Sequence, residues 1–233
     1  MTRAIPSLIA ALLVAGCAVV PEPEGPSTAV PYRALGTEPF WSLVLDGGRA
    51  TFESPDAAPV VLPLPPGRAS FNGMRHVGDR IVIDITHSPC SDGMSDRRYA
   101  DTVMVAIDGR DLRGCGGAVL PPEDLAGTRW IIRRIDGRAV TGPPERPAEL
   151  AFADGRIAVG TGCNRMGGSY RVEGARLVTG PLASTRMACP QPMMGQEDAL
   201  GALFAAGATL RFTPEGALLL SGGGHSVEAE QVI

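Results

Sequence analysis

Acidic-glycine dipeptides recur along this chain, at Asp46-Gly47, Asp108-Gly109, Asp154-Gly155, Glu173-Gly174 and Glu215-Gly216. Each sits between runs rich in β-branched and other apolar residues, and such dipeptides supply the backbone twist that tight hairpins need. A chain turned back on itself this often is limited to short antiparallel strands. The run RIVIDITH agrees, with Ile81, Ile83 and Ile85 on one face of a half-buried strand. FWSLVLDGGRATFES and YADTVMVAIDGRDLRGCGG predict two further hairpins. PDAAPVVLPLPPGR carries too many prolines for a central strand and is predicted as an edge or loop.

Pro121-Pro122 punctuates the pattern and divides it into units at 32–120 and 121–233. No helix is predicted in the first. In the second, QEDALGALFAAG places Ala199, Leu200, Leu203 and Phe204 at helical spacing, with Glu197 and Asp198 in its first turn and Gly207 as its stop. The expected fold is therefore mainly β. It consists of two small antiparallel domains, curled or barrel-like, the second with one packed helix.

The first residues predict an address. Arg3, an apolar run and small residues form a secretory signal over 1–16. That run is too short to span a bilayer, which takes about 20 apolar residues. Val14-Ala15-Gly16-Cys17 resembles a bacterial lipobox, which implies lipidation of Cys17 and a membrane anchor. Residues 17–31 then read as a proline-rich tether. Ala18 stands where an aspartate would imply retention at the inner membrane, so the periplasmic face of the outer membrane is expected. With a net charge of -4, the chain has no electrostatic footprint for nucleic acid.

LAGTRW, then GTGCNRMGGSYRVEGARLVTGPLASTRMACP, an acidic helix and LRFTPEGALLLSG together resemble the META/HslJ family, in order from Leu125 to Ser221. The resemblance implies a small antiparallel β structure with a helix, a link to heat and antibiotic stress in the envelope, and no defining enzymatic activity. It also implies that Asn164 hydrogen-bonds a loop. RALGTEPFW, CSDGMSDRRY and GCGG in the first unit resemble an uncharacterised module of proteobacterial lipoproteins, which brings no known chemistry.

Besides Cys17 the chain has Cys90, Cys115, Cys163 and Cys189, which allow three pairings. If the boundary lies near Pro121, each unit owns two, giving Cys90–Cys115 and Cys163–Cys189. Each bridge would close about 26 residues, worth roughly 3–3.5 kcal/mol in the chain-entropy account. An oxidising periplasm favours such bridges over a catalytic thiol. A metal site at His76, His87, Cys90 and Met94 has no supporting ligand spacing. Met187, Met193 and Met194 are thioethers of the type that holds Cu(I), but they are read first as core filler beside the helix. GTGCNRMGG lacks the Lys-Ser/Thr of a phosphate loop, and His225 is expected to be merely solvated.

No acid–base or nucleophile constellation stands out, so catalytic residues and cofactors are expected to be none. The leading expectation is a non-enzymatic envelope lipoprotein that binds an envelope protein or ligand, with an exposed Trp41 as the partner contact and Glu38 at its rim. The alternatives are periplasmic Cu(I) binding and inhibition of an attacking hydrolase such as lysozyme.

Overall fold

The structure is a computed structural model that describes residues 30–232. The expected signal, Cys17 and nearly all of the tether lie outside the described residues. The described chain is mainly β, with 57% strand and 8% helix, as the hairpin signals predict.

The first ten strands are β1 (Tyr32–Thr37), β2 (Phe40–Asp46), β3 (Arg49–Ser54), β4 (Ala57–Pro63), β5 (Arg68–Ser70), β6 (Gly73–Val77), β7 (Ile81–Thr86), β8 (Cys90–Ser91), β9 (Arg98–Ile107) and β10 (Arg110–Val119). They form one antiparallel sheet in the order β4-β3-β2-β1-β10-β9-β7-β6-β5, with β8 paired to β9. The sheet curls into a half-barrel. Its inner face buries Leu43, Phe52, Ile81, Ile83, Ile85, Val103, Val105 and Ile107. The proline-rich β4 is an edge strand, where the missing N–H groups disturb no ladder.

Trp41 corrects an expectation. It is 4% exposed, while Phe40 is 55% exposed, so the indole cannot be a free partner contact. Alternation puts one of these neighbours inside and one outside, but the room available decides which. Gly36 of β1 and Gly114 of β10 supply that room. A Cβ on Gly36 would lie 2.1 Å from Trp41 Nε1, and one on Gly114 would lie 2.6 Å from Cζ2. The indole occupies the space both glycines leave and stacks on Phe52 at 6.1 Å.

The remaining elements are β11 (Arg129–Ile135), β12 (Arg138–Ala139), β13 (Ala148–Ala153), β14 (Arg156–Thr161), β15 (Arg165–Glu173), β16 (Arg176–Thr179), β17 (Ala183–Ser184), α1 (Gln191–Ala206), β18 (Ala208–Phe212), β19 (Leu218–Gly222) and β20 (His225–Gln231). Strands β11, β13, β14, β15, β16, β18, β19 and β20 pair in sequence, and β20 returns to β11 to close an eight-stranded barrel. The closing pair shows both faces of the design. Trp130, Ile132, Val227 and Ala229 point into the core, while Arg133 meets Glu230 and Arg134 meets Glu228 in solvent. Those exposed ion pairs add little stability, since such pairs contribute about 0–1 kcal/mol each.

Helix α1 packs against the barrel through Ala199, Leu200, Leu203 and Phe204. It begins a turn and more earlier than its periodicity predicts, at Gln191, so Glu197 and Asp198 fall in its second turn. Pro192 lies in the first turn, where backbone N–H groups have no partner within the helix. Gly207 ends the helix at φ 72°, the left-handed region that glycine enters without strain.

Candidate functional site

Cys90, Asp92 and Met94, but not His87, stand in one wall of a surface cleft of about 480 Å³ on the half-barrel; Glu38 and Arg113 also line it. Cys90 and Cys115 are disulfide-bonded across it, with Cα atoms 5.4 Å apart. The Asp92 side of the cleft is held by its own hydrogen bonds. Thr37 Oγ1 donates to the Asp92 carbonyl at 2.8 Å, and the Asp92 carboxylate accepts from the Met94 and Ser95 amides and the Ser95 hydroxyl. Partial burial pushes the Asp92 carboxyl up, but the bonds from Ser95 and Met94 and the nearby Arg97 hold it below the usual carboxylate range. The segment is a stapled turn.

His87 lies at the end of the inner face. Its Nδ1 is 2.8 Å from Asp101 Oδ1, and the Tyr32 hydroxyl donates to Asp101 Oδ2 at 3.0 Å. Asp101 is only 6% exposed, so its carboxylate depends on these two partners. Burial, then the charge and hydrogen bond of Asp101, push the Tyr32 phenol far above the ordinary tyrosine range. A phenol with a raised folded pKa stabilises the fold fully below its unfolded value of about 10, and that contribution is lost as pH climbs toward the folded value. Tyr32→Phe is expected to cost about 1.5–3 kcal/mol at pH 7, the range for one hydrogen bond to a charged group. It should also weaken the decline in stability above about pH 10. Urea unfolding at neutral and alkaline pH measures both effects.

At the helix-covered end of the barrel, Cys163 and Cys189 are disulfide-bonded, with Cα atoms 6.3 Å apart. Asn164, 3% exposed, is the centre of a polar knot beside that bridge. Its Nδ2 donates to Glu197 Oε2 at 2.7 Å and to the Met187 carbonyl at 3.2 Å. Its Oδ1 accepts from the Thr185 hydroxyl and the Met187 amide, both at 2.9 Å. Ser184 donates to the other Glu197 oxygen, and Gln196 bonds both backbone groups of Thr141. The knot joins the Cys163 turn, the 184–187 segment and α1.

The opposite end of the barrel is an open mouth. β15 and β18 carry inward-facing side chains almost to their ends there, and Tyr170, Val172, Leu210 and Phe212 line a cavity of about 450 Å³. Tyr170, Leu210 and Phe212 pack on the core beneath. Tyr170 meets Phe152 edge-on at 5.0 Å, and Phe212 meets Trp130 at 5.8 Å. Val172 is 43% exposed. Asp124 and Leu125 close one side, and Gly155 beside Asp154 closes another. Burial, then the charges of Asp124 and Asp154, raise the Tyr170 phenol above its ordinary value.

Comparison with known proteins accounts for the second half of the chain. Residues 123–232 match the family described as META domain. They form a META/HslJ-like domain. Heat shock protein HslJ of Escherichia coli strain K12 is 31% identical over 77 residues, 33% of this chain. The chain thus spans only about half, 54%, of that relative's length. A protein with an NMR structure aligns with 48% of this chain and 94% of its own, at 24% identity and a TM-score of 0.43. Another from Burkholderia xenovorans, also solved by NMR, aligns with 46% and 83%, at 24% identity and a TM-score of 0.37.

Within the META domain, the methionines differ from their expected role. Met166 fills the barrel core, whereas Met187 is 49% exposed and Met194 40%. The Asn164 bonds hold the Met187 backbone outside the barrel, which leaves its side chain in solvent. His225 is also more than solvated, because its Nδ1 lies 2.8 Å from Asp136. Among the described residues, no three His, Cys, Asp or Glu side chains come together as a metal site. The mouth residues Tyr170, Val172, Leu210 and Phe212 were not singled out by sequence. Their alternation in SYRVE and LRF is visible, but nothing local shows that they end at an opening.

Proposed function

We propose that this chain is a lipid-anchored protein of the bacterial cell envelope that works by binding and not by catalysis. The observation that carries the reading is the META-domain mouth, where Tyr170, Val172, Leu210 and Phe212 turn apolar surface toward solvent. Barrel mouths are a common place for ligand sites, and this cavity falls in the usual range of about 300–1,000 Å³. The polar groups elsewhere support binding over chemistry. Asn164, Asp92 and Asp101 are each held by several internal partners, which fixes shape and leaves little to move a proton. Val14-Ala15-Gly16-Cys17 and the proline-rich stretch after it support a lipid anchor and tether at the periplasmic face of the outer membrane. The likeness to a heat shock protein supports a role in stress tolerance.

Site-specific photo-cross-linking in cells tests this reading. A photoreactive residue at Val172 is expected to capture a discrete partner, and one at Val61 on the edge of the other sheet is not.

A further inference from the structure

We infer that the META-domain mouth receives an extended protein segment bearing one apolar side chain beside a lysine or arginine. The inference rests on the mouth being the binding site, and it adds the chemistry of the occupant. The floor sets the apolar part. Val172, Leu210 and Phe212 line a space of about 450 Å³, enough for one large side chain and its neighbour and far too small for a folded domain.

The backbone at the rim favours an extended partner. β16 pairs with β18 only at Arg176↔Thr209 and Leu177↔Ala208. The Leu210 N–H is taken by the Ala175 carbonyl, where the β15–β16 hairpin turns back. Among the described residues, no strand pairs with Arg211 or Phe212 on that side. A short strand end beside an apolar floor is the arrangement that strand addition uses: main-chain bonds hold the segment and a pocket selects its side chain.

Charge sets the rest. Two of the rim charges are neutralised locally, Arg171 by Glu173 at 2.6 Å and Glu123 by Arg98. Asp124 and Asp154 form no ion pair among the described residues, and Asp124 only accepts the Ala126 amide through Oδ1. Both carboxylates act on the Tyr170 phenol, which is consistent with a negative field at that side of the cavity. A cation there would meet two carboxylates. An acidic segment would meet repulsion.

The probes are two labelled pentapeptides, acetyl-Lys-Leu-Lys-Phe-Lys-amide and its counterpart with glutamate for lysine. Fluorescence anisotropy is read against the full chain made as Cys17→Ser, so that no lipid competes. The lysine peptide is expected to bind at least about tenfold tighter than the glutamate peptide, and to weaken several-fold when salt rises from about 50 to 500 mM. Val172→Arg should weaken it about tenfold, and Asp124→Asn with Asp154→Asn about fivefold, as removal of complementary charge requires. All three positions are exposed, and unfolding midpoints check that the variants fold. Equal binding of both peptides, no binding of the lysine peptide, or binding unchanged by Val172→Arg would overturn the proposal. A cellular cross-link from Val172 alongside a failed lysine peptide discards the cationic occupant and keeps the binding reading. Failure of both discards both.

Discussion

Replacing Asn164 with alanine should cost about 3 kcal/mol, because several buried groups lose their partner at once. The side chain donates to Glu197 and the Met187 carbonyl and accepts from the Thr185 hydroxyl and the Met187 amide, four hydrogen bonds in all. Alanine deletes all four and leaves the Glu197 carboxylate with Ser184 alone. Leaving a partly buried charge short of partners costs more than one neutral bond is worth. Asn164→Asp separates the electrostatic part from the rest. Its carboxylate would face Glu197, so its folded pKa would rise, and the lost stability should return in part as pH falls. Urea midpoints at about pH 7 and pH 5 give both numbers. Equal, small losses for the two variants at both pH values would mean that the knot carries no load.

The second large effect concerns the disulfides. Their sequence separations of 25 and 26 residues put each at about 3.5 kcal/mol in the chain-entropy account. Replacing Cys90 with Cys115, or Cys163 with Cys189, by serine should lower stability by about that amount. The first bridge lies on the half-barrel and the second beside the barrel, so the two losses should be additive to within about 0.5 kcal/mol. The Cys163–Cys189 variant should also loosen α1, because the 184–187 segment is shared between the bridge and the Asn164 knot. Denaturant unfolding with and without a reductant measures the pair. Unfolding unchanged by reductant would contradict the assignment.

Much of this fold is legible locally. The acidic-glycine dipeptides stand at the turns between β2 and β3, β9 and β10, β13 and β14, β15 and β16, and β18 and β19. The helical spacing of Ala199, Leu200, Leu203 and Phe204 picks out the buried face of α1. Elsewhere the deciding partner is distant in sequence. Phe40 and Trp41 must point opposite ways, but Gly114, far along the chain, makes room for the larger ring. The start of α1 lies before the apolar periodicity, with Pro192 in a first helical turn where proline is tolerated. Met187 looks like core filler until Asn164 is seen to hold its backbone outside. Closure of the barrel depends on β11 meeting β20 almost a hundred residues later, a pairing no local pattern reports. The mouth follows from where β16 begins, which is a matter of register and not of composition.

The most direct test is the photo-cross-link from Val172, made in living cells and compared with Val61. One discrete adduct is expected from Val172, none from Val61, and loss of that adduct when Phe212→Asp spoils the apolar floor. Matching adducts from both positions, or an adduct indifferent to Phe212→Asp, would show that the META-domain mouth is not the binding site.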